Sequence, residues 1–322
     1  MNISDKLKSG IRNCALPLSM GTGILLYLVY HWTPSIHIIG PPIHKTATML
    51  QPVLIFLMLF LQFNKISPHD LKIKWWHAAL LLIQGSLFII GVAIAKTMPD
   101  GGGRILVESA MLCFITPTAT AAGVITEKLG GNLSQTMTYI VLANCLAAIL
   151  IPATMPLLNP VEGQTFIGCM IRIIGKVFPM LILPCIAAWI IRYTMRKVQI
   201  FLMRYAGIAF YIWSFSLAIS LALTTRTLIL SHMHVSFALV IGAVSLICCI
   251  FQFYSGHHIG KISGKESSVT AGQCLGQKNT IFQIWLGYSF LTPETSICGG
   301  FYSIWHNLVN SWELYKAGKK RN

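Results

Sequence analysis

Two stretches of this chain set hydroxyls, amides, glycines and a lysine inside apolar sequence. One is TAGQCLGQKNT, Thr270 to Thr280, and the other is TPTATAAGVITEKLGGN, Thr116 to Asn132. Such residues are poorly suited to making or breaking bonds. No nucleophile stands beside a base in either stretch, and no GxSxG, HExxH or paired inward carboxylates occur elsewhere, so enzymatic activity is not expected. They are well suited to holding ions and small anions. Hydroxyl, amide and carbonyl oxygens ligate hard cations, helix ends exposed at a break offer free N–H and C=O groups, and an ammonium attracts a carboxylate or sulfonate. Lys278 sharpens the question, because a lysine at the centre of a membrane span costs roughly 2.5–3.5 kcal/mol on insertion scales. It must face a cavity, pair with an acid or reach the interface.

The elements that position these residues follow from composition. Of 322 residues, 55% are hydrophobic and only 10% charged, against about a quarter charged in soluble domains. Mean hydropathy is +0.68. Apolar runs of about twenty residues recur, each long enough to cross a hydrocarbon core. They are continuous and do not alternate, which excludes a β-barrel. The sequence therefore predicts an all-α polytopic membrane protein with about ten transmembrane helices, near 13–31, 47–63, 75–97, 105–127, 132–157, 166–192, 204–226, 234–255, 268–292 and 295–315. No linker rich in Pro, Ser or charge splits off a soluble unit, so residues 1–322 form one membrane domain. The first apolar segment is long, lacks a small-x-small cleavage site and is expected to be retained.

Net charge is +15. In a soluble protein that would point to nucleic acid; here the lysines and arginines lie mainly between apolar segments, where they set topology, and no nucleic-acid partner is expected. With the N-terminus inside, the inner segments hold Lys6, Lys8, Arg12, Lys65, Lys72, Lys74, Lys128, Arg192, Arg196, Lys197, Arg204, Lys261, Lys265, Lys316, Lys319, Lys320 and Arg321, 17 in all. The outer loops hold 4: Lys45, Lys96, Arg104 and Arg226. That ratio supports ten spans with both termini cytoplasmic. Arg172, Lys176 and Lys278 remain within spans. Nine scattered cysteines with no CxxC spacing predict neither disulfides nor a zinc site, but small buried side chains.

The two polar stretches fall in the fourth and ninth segments, equivalent positions in two halves of five. An odd number of helices per half makes the second half insert upside down. This predicts an inverted repeat, with repeat one near 13–157 and repeat two near 166–315. Paired interrupted helices in such repeats mark a binding site near the bilayer midplane.

At these residues the chain resembles the bile acid:sodium symporter family, within the wider group that includes arsenite exporters and auxin-type carriers. The resemblance covers most of the chain at weak identity. It rests on TPTATAAGVITEKLGGNLSQTMT in the fourth and fifth spans, AGQCLGQKN in the ninth, and GGFYSIWHNLVNS, Gly299 to Ser311, in the tenth. It implies core and panel domains, with broken helices 4 and 9 crossing in the core. It also implies alternating access and an amphipathic organic anion moved with sodium.

Carried over position by position, the resemblance places the family's ion ligands on altered residues. Its fourth-span Ser-Asn pair falls on Ala122 and Gly123, and its ninth-span acid on Gln273. A fifth-span threonine falls on Ile140, while its serine partner becomes Thr136. Gln277 and the third-span Gln84 are retained. Asn279 belongs to the same ninth-span motif, and the family's Asn before it is replaced by Lys278. The usual sodium sites are therefore degraded, and sodium is left open as a coupling ion. Two roles stand for Lys278: a positive charge at the crossing that attracts an anion or exchanges a proton, and a structural pair with Glu127.

Other residues carry plainer expectations. Thr116, Thr118 and Thr120 flank Pro117, where they either bind ligand or cap a kinked helix. Glu108 follows Arg104 by four and is expected to pair with it. His306 and Asn307, with Trp305, match the tenth-span motif and are expected to pack and hydrogen-bond against the broken helices. His257 and His258 do not share a helix face, so no metal site is expected there. GHHIGK falls one residue short of a phosphate loop. Trp32, Trp75, Trp76, Trp189 and Trp312 read as interfacial belts.

The leading functional expectation is a secondary transporter of a small organic anion. An arsenite-type exporter, with Cys113 as the thiol to test, and a non-transporting sensor or scaffold on the same fold are the alternatives. No cofactor is expected. The partners are the anion and the bilayer, in a membrane of the bacterial inner type.

Overall fold

Apolar residues recurring without alternation satisfy their backbone groups as helices, and helices make up the regular elements among the described residues. The computed structural model describes residues 3–160, 162–205, 207–231 and 233–319, with side chains from Leu18 onward except Ile36 and Ile39. The side chains of Lys6, Lys8, Arg12 and Cys14, and residues Lys320 and Arg321, lie outside the described set.

The chain runs α1 (Ile3–Trp32), α2 (Gly40–Phe63), α3 (Trp75–Thr97), α4 (Gly102–Ile115), α5 (Ala122–Lys128), α6 (Leu133–Leu158) and α7 (Phe166–Leu181). It continues through α8 (Leu183–Thr194), α9 (Arg196–Arg204), α10 (Ile208–Leu230), α11 (Val235–Lys261), α12 (Lys265–Gly276), α13 (Thr280–Phe290) and α14 (Pro293–Lys319). No strand occurs among the described residues. Five helices, α2, α3, α6, α10 and α11, are each long and apolar enough to cross a bilayer. The pair α7 and α8, bent by 45°, makes a sixth. That bend falls where Pro184 lacks an N–H and its ring crowds the carbonyl of Met180. Among the rest, α4, α5, α12 and α13 are too short for that test and α14 is too polar.

Each of the ten predicted segments coincides with one helix or with one adjacent pair. The fourth is α4 with α5, the sixth α7 with α8, and the ninth α12 with α13. Side-chain caps start several of them. Asn132 accepts from Gln135 N at 3.0 Å to open α6, and Thr165 accepts from Gly168 N at 3.1 Å to open α7. The surface helix α9 was not anticipated.

Helix α11 packs along α12, α14 and α4, while α3 packs on α4 and α6. Helix α10 packs on α1 and α2, and α2 also on α8. Helices α11 and α12 approach closely. A Cβ on Gly256 or Gly260 would run into the carbonyls of Ala271 and Ser267, so glycine sets that spacing. Fully buried Ile55, Phe88, Leu112, Ile140 and Leu286 lie in the main apolar core.

One expectation needs correcting. Trp32, Trp75 and Trp312 are exposed, but Trp76 is 1% exposed and its ring lies 3.9 Å from that of His77. It is a core residue. Residues 256–261, GHHIGK, are the last turns of α11.

Candidate functional site

Leu112 O keeps its helical donor, Thr116 N, and also accepts from Thr116 Oγ1 at 2.6 Å. Proline at 117 cannot continue α4, and the carbonyls of Cys113, Phe114 and Ile115 are left without intrahelical N–H donors. Each of these three finds another donor. Cys113 O takes Gln252 Nε2 at 3.2 Å, and Ile115 O takes Gln84 Nε2 at 3.1 Å. Phe114 O takes the ammonium of Lys278, Nζ to O 3.1 Å. Pro117 O takes the backbone N–H of Asn279 at 2.9 Å.

The break after α12 closes against the first break. Ala119 N donates to Gln277 O at 3.2 Å, so Thr118 and Lys278 face each other in a short antiparallel bridge. Thr118 Oγ1 donates to Cys274 O at 2.5 Å, and Tyr302 OH to Gly276 O at 2.9 Å. The carboxyl ends of α4 and α12 thus meet. Both carry the negative end of a helix dipole, and the fully buried Lys278 ammonium sits against one of them. The ion pairs among the described residues are Arg104 with Asp100 and Glu108, and His257 with Glu313; Lys278 has none.

A polar cavity opens beside the meeting point. Its wall includes Thr120, Gln277, Lys278, Asn279, Thr280, Ser303, His306 and Asn307, with Met58, Trp213 and Leu217 from α2 and α10 opposite. The amino end of α13 borders it, capped by Asn279 Oδ1 accepting from Phe282 N at 3.2 Å. His306 Nδ1 accepts from Lys278 N at 3.4 Å, and Asn307 Nδ2 donates to Ser303 O at 2.6 Å.

The structure thus brings together Pro117, Thr118, Thr120, Gln277, Lys278, Asn279, His306 and Asn307. Gln84 is close behind them, holding Ile115 O and accepting from Tyr139 OH at 2.9 Å. Ala122 and Gly123 are buried and offer no side-chain oxygen; a Cβ on Gly123 would press on Leu133 and Met137. Thr136 is buried and spends its hydroxyl on Asn132 O at 2.9 Å. Glu127 is exposed at the end of α5, while Lys278 is buried, and the pair expected between them does not form. Glu108 bonds Arg104 Nε at 2.9 Å and Thr295 Oγ1 at 3.0 Å.

One functional group escaped sequence reasoning. Gln277 Nε2 donates to Gln273 Oε1, and Gln273 Nε2 donates to Glu313 Oε2 at 2.7 Å. Glu313 Oε1 pairs with His257 Nε2 at 2.7 Å. An acid absent from position 273 is therefore present beside it, supplied by α14. The available signal was spacing: His306, Asn310 and Glu313, at steps of four and three, share one face of α14.

Cys113 is not the isolated thiol the sequence implied. Gln283 Nε2 bridges Cys113 and Cys298 at 3.2 and 3.3 Å. Among the described residues no group of three or more His, Cys, Asp or Glu is arranged to hold a metal ion.

Comparison with protein-family models gave no match to this chain, and comparison with curated proteins gave none at a significant level.

Proposed function

We propose that this chain is a secondary transporter of a small organic anion, built as a divergent member of the bile acid:sodium symporter group. In this reading the chain is two inverted five-helix repeats making ten spans. Helices α1, α2, α7, α8 and α10 form the panel, and the remaining span helices form the core in which the two breaks cross. The anion binds in the cavity between core and panel and is exposed to each side in turn.

The observation that carries this reading is the buried Lys278 ammonium, held at the carboxyl end of α4 with no carboxylate partner, beside a cavity of hydroxyl and amide groups. Polar groups are costly at this depth unless used. The fit to sodium is poor. The positions that would supply ligands carry a methyl at 122, a hydrogen at 123 and an amide at 273 that is already bonded at both ends. Lys278 holds one of the carbonyls of α4 that a cation could otherwise use.

The test is flux of amphipathic carboxylates and sulfonates in proteoliposomes, with sodium and pH gradients imposed separately. Flux should persist without sodium. The Lys278→Met variant should fold and lose at least about tenfold in rate, since an unpaired charge-assisted contact is worth roughly 1.5–3 kcal/mol. Normal flux by that variant, or flux driven strictly by sodium, would overturn the proposal.

A further inference from the structure

Two cations lie outside that site. Arg172 and Lys176 stand four apart on α7 and share a face. At 1.5 Å per residue they lie about 9 and about 15 Å along the axis from Phe166. The α7–α8 pair is apolar enough to cross a bilayer, so both charges fall within a candidate span, and both residues are exposed on its surface. Neither pairs with an acid among the described residues. Gln164, with its amide oxygen turned toward Arg172, accepts from both guanidinium Nη atoms at 2.9 and 3.1 Å. Lys176 Nζ lies 5.5 Å from the centre of the Phe290 ring. An amide and a ring face spread positive charge without cancelling it. Both cations line one cleft, with Met155 and Asn159 from the end of α6 and Phe290 and Leu291 from the end of α13.

We propose that this cleft is a second anion site. It takes an acid with a hydrocarbon chain. The carboxylate, sulfonate or phosphate head sits between Arg172 and Lys176, and the chain lies against Phe290 and Leu291. Uncompensated cations within a span recruit a counter-charge because hydrocarbon cannot solvate them, and an apolar floor beside them selects an amphipathic anion over a bare one. A free fatty-acid-like anion and an anionic lipid present the same chemistry. The cleft shares no residue with the Lys278 cavity, yet α13 runs from one to the other. The site stands whether or not the chain transports.

The test uses the full chain in an uncharged detergent, in the Lys278→Met background so that the first cavity does not contribute. Binding of phosphatidylglycerol, of phosphatidylcholine with the same chains, and of dodecanoate is measured by native mass spectrometry and equilibrium dialysis. One or both anionic probes should bind at least about tenfold more tightly than phosphatidylcholine, and the Arg172→Gln/Lys176→Gln double variant should lose that preference, because each charged contact is worth a factor of about ten or more. Lys176→Arg should keep it. Binding of phosphatidylglycerol alone identifies a lipid as the source, and binding of dodecanoate alone a free acid. If the double variant does not elute as a folded protein, Lys176→Gln alone is read and should still reduce anion binding. Equal binding of the zwitterionic and anionic lipids with no dodecanoate binding, or an anion preference that survives removal of the charges, would overturn the proposal.

Discussion

Glu313 shows how a single carboxylate can serve a site from an unexpected helix. It accepts from Gln273 Nε2 and from His257 Nε2, both at 2.7 Å. Gln273 in turn takes the Gln277 amide, so the acid fixes the orientation of two amides that lead to the cavity. Placing a second carboxylate at 273 would set like charges within hydrogen-bond distance. Gln273→Glu should therefore lower the thermal unfolding midpoint in detergent, by a destabilisation of roughly 1–3 kcal/mol from the lost hydrogen bond and the new repulsion. Adding Glu313→Gln should recover most of that loss, because one acid and one amide again face each other. A double variant no more stable than Gln273→Glu alone would show that the two side chains do not act as a pair.

At the scale of elements, the spacing of α11 and α12 depends on glycine. Gly256→Val would push branched carbons into the Ala271 carbonyl, and overpacking of this kind costs about 1–3 kcal/mol. Gly175 in α7 is exposed and meets nothing within 4 Å, so Gly175→Ala should be neutral or stabilise by up to about 1 kcal/mol. Unfolding midpoints of the two variants should move in opposite directions, or only the first should fall. The helices themselves were legible, because twenty-residue apolar runs have one stable backbone solution in lipid, and each predicted segment meets a helix or a broken pair. Both interruptions were legible for the same reason: Pro117, and the cluster of Gly and amides around Gln277, cannot be read as ordinary span. What was not legible was contact between distant elements. The Glu313–Gln273 bond joins residues 40 apart, and no spacing rule within α12 points to α14. Trp76 was misread because its place at a helix end says nothing of which way it faces. Glu127 was weighed as a partner for Lys278 because it is the acid that follows the fourth-span break, while the ammonium bonds the backbone carbonyl of Phe114 before that break.

At the scale of the whole molecule, on the proposed reading, the cavity lies between core and panel, which meet through few polar bonds among the described residues. Examples are Tyr288 OH to His44 Nε2 at 3.1 Å and Gln62 Nε2 to Met137 Sδ at 3.4 Å. A weakly bonded boundary permits one set to move against the other as a body. Thr120 lines the cavity and is half-buried. On the proposed reading, a Thr120→Cys variant should react with a membrane-impermeant maleimide at a rate that changes when an accepted anion is added. The unsubstituted chain, whose described cysteines are buried apart from half-buried Cys145, sets the background. A rate indifferent to every anion, from either side of the membrane, would count against movement around this cavity.

The carbonyl of Phe114 has a further consequence for energetics across a membrane. A sodium ion held there would leave with the ligand and draw on the sodium gradient. An ammonium attached to the chain cannot leave. On the proposed reading, the positive charge returns with the protein at the end of every cycle, so only the ligand's own charge crosses. A monovalent anion carried this way is driven by its concentration difference and by the membrane potential, which is worth about 2.3 kcal/mol per 100 mV. With the cell interior negative, that term favours export.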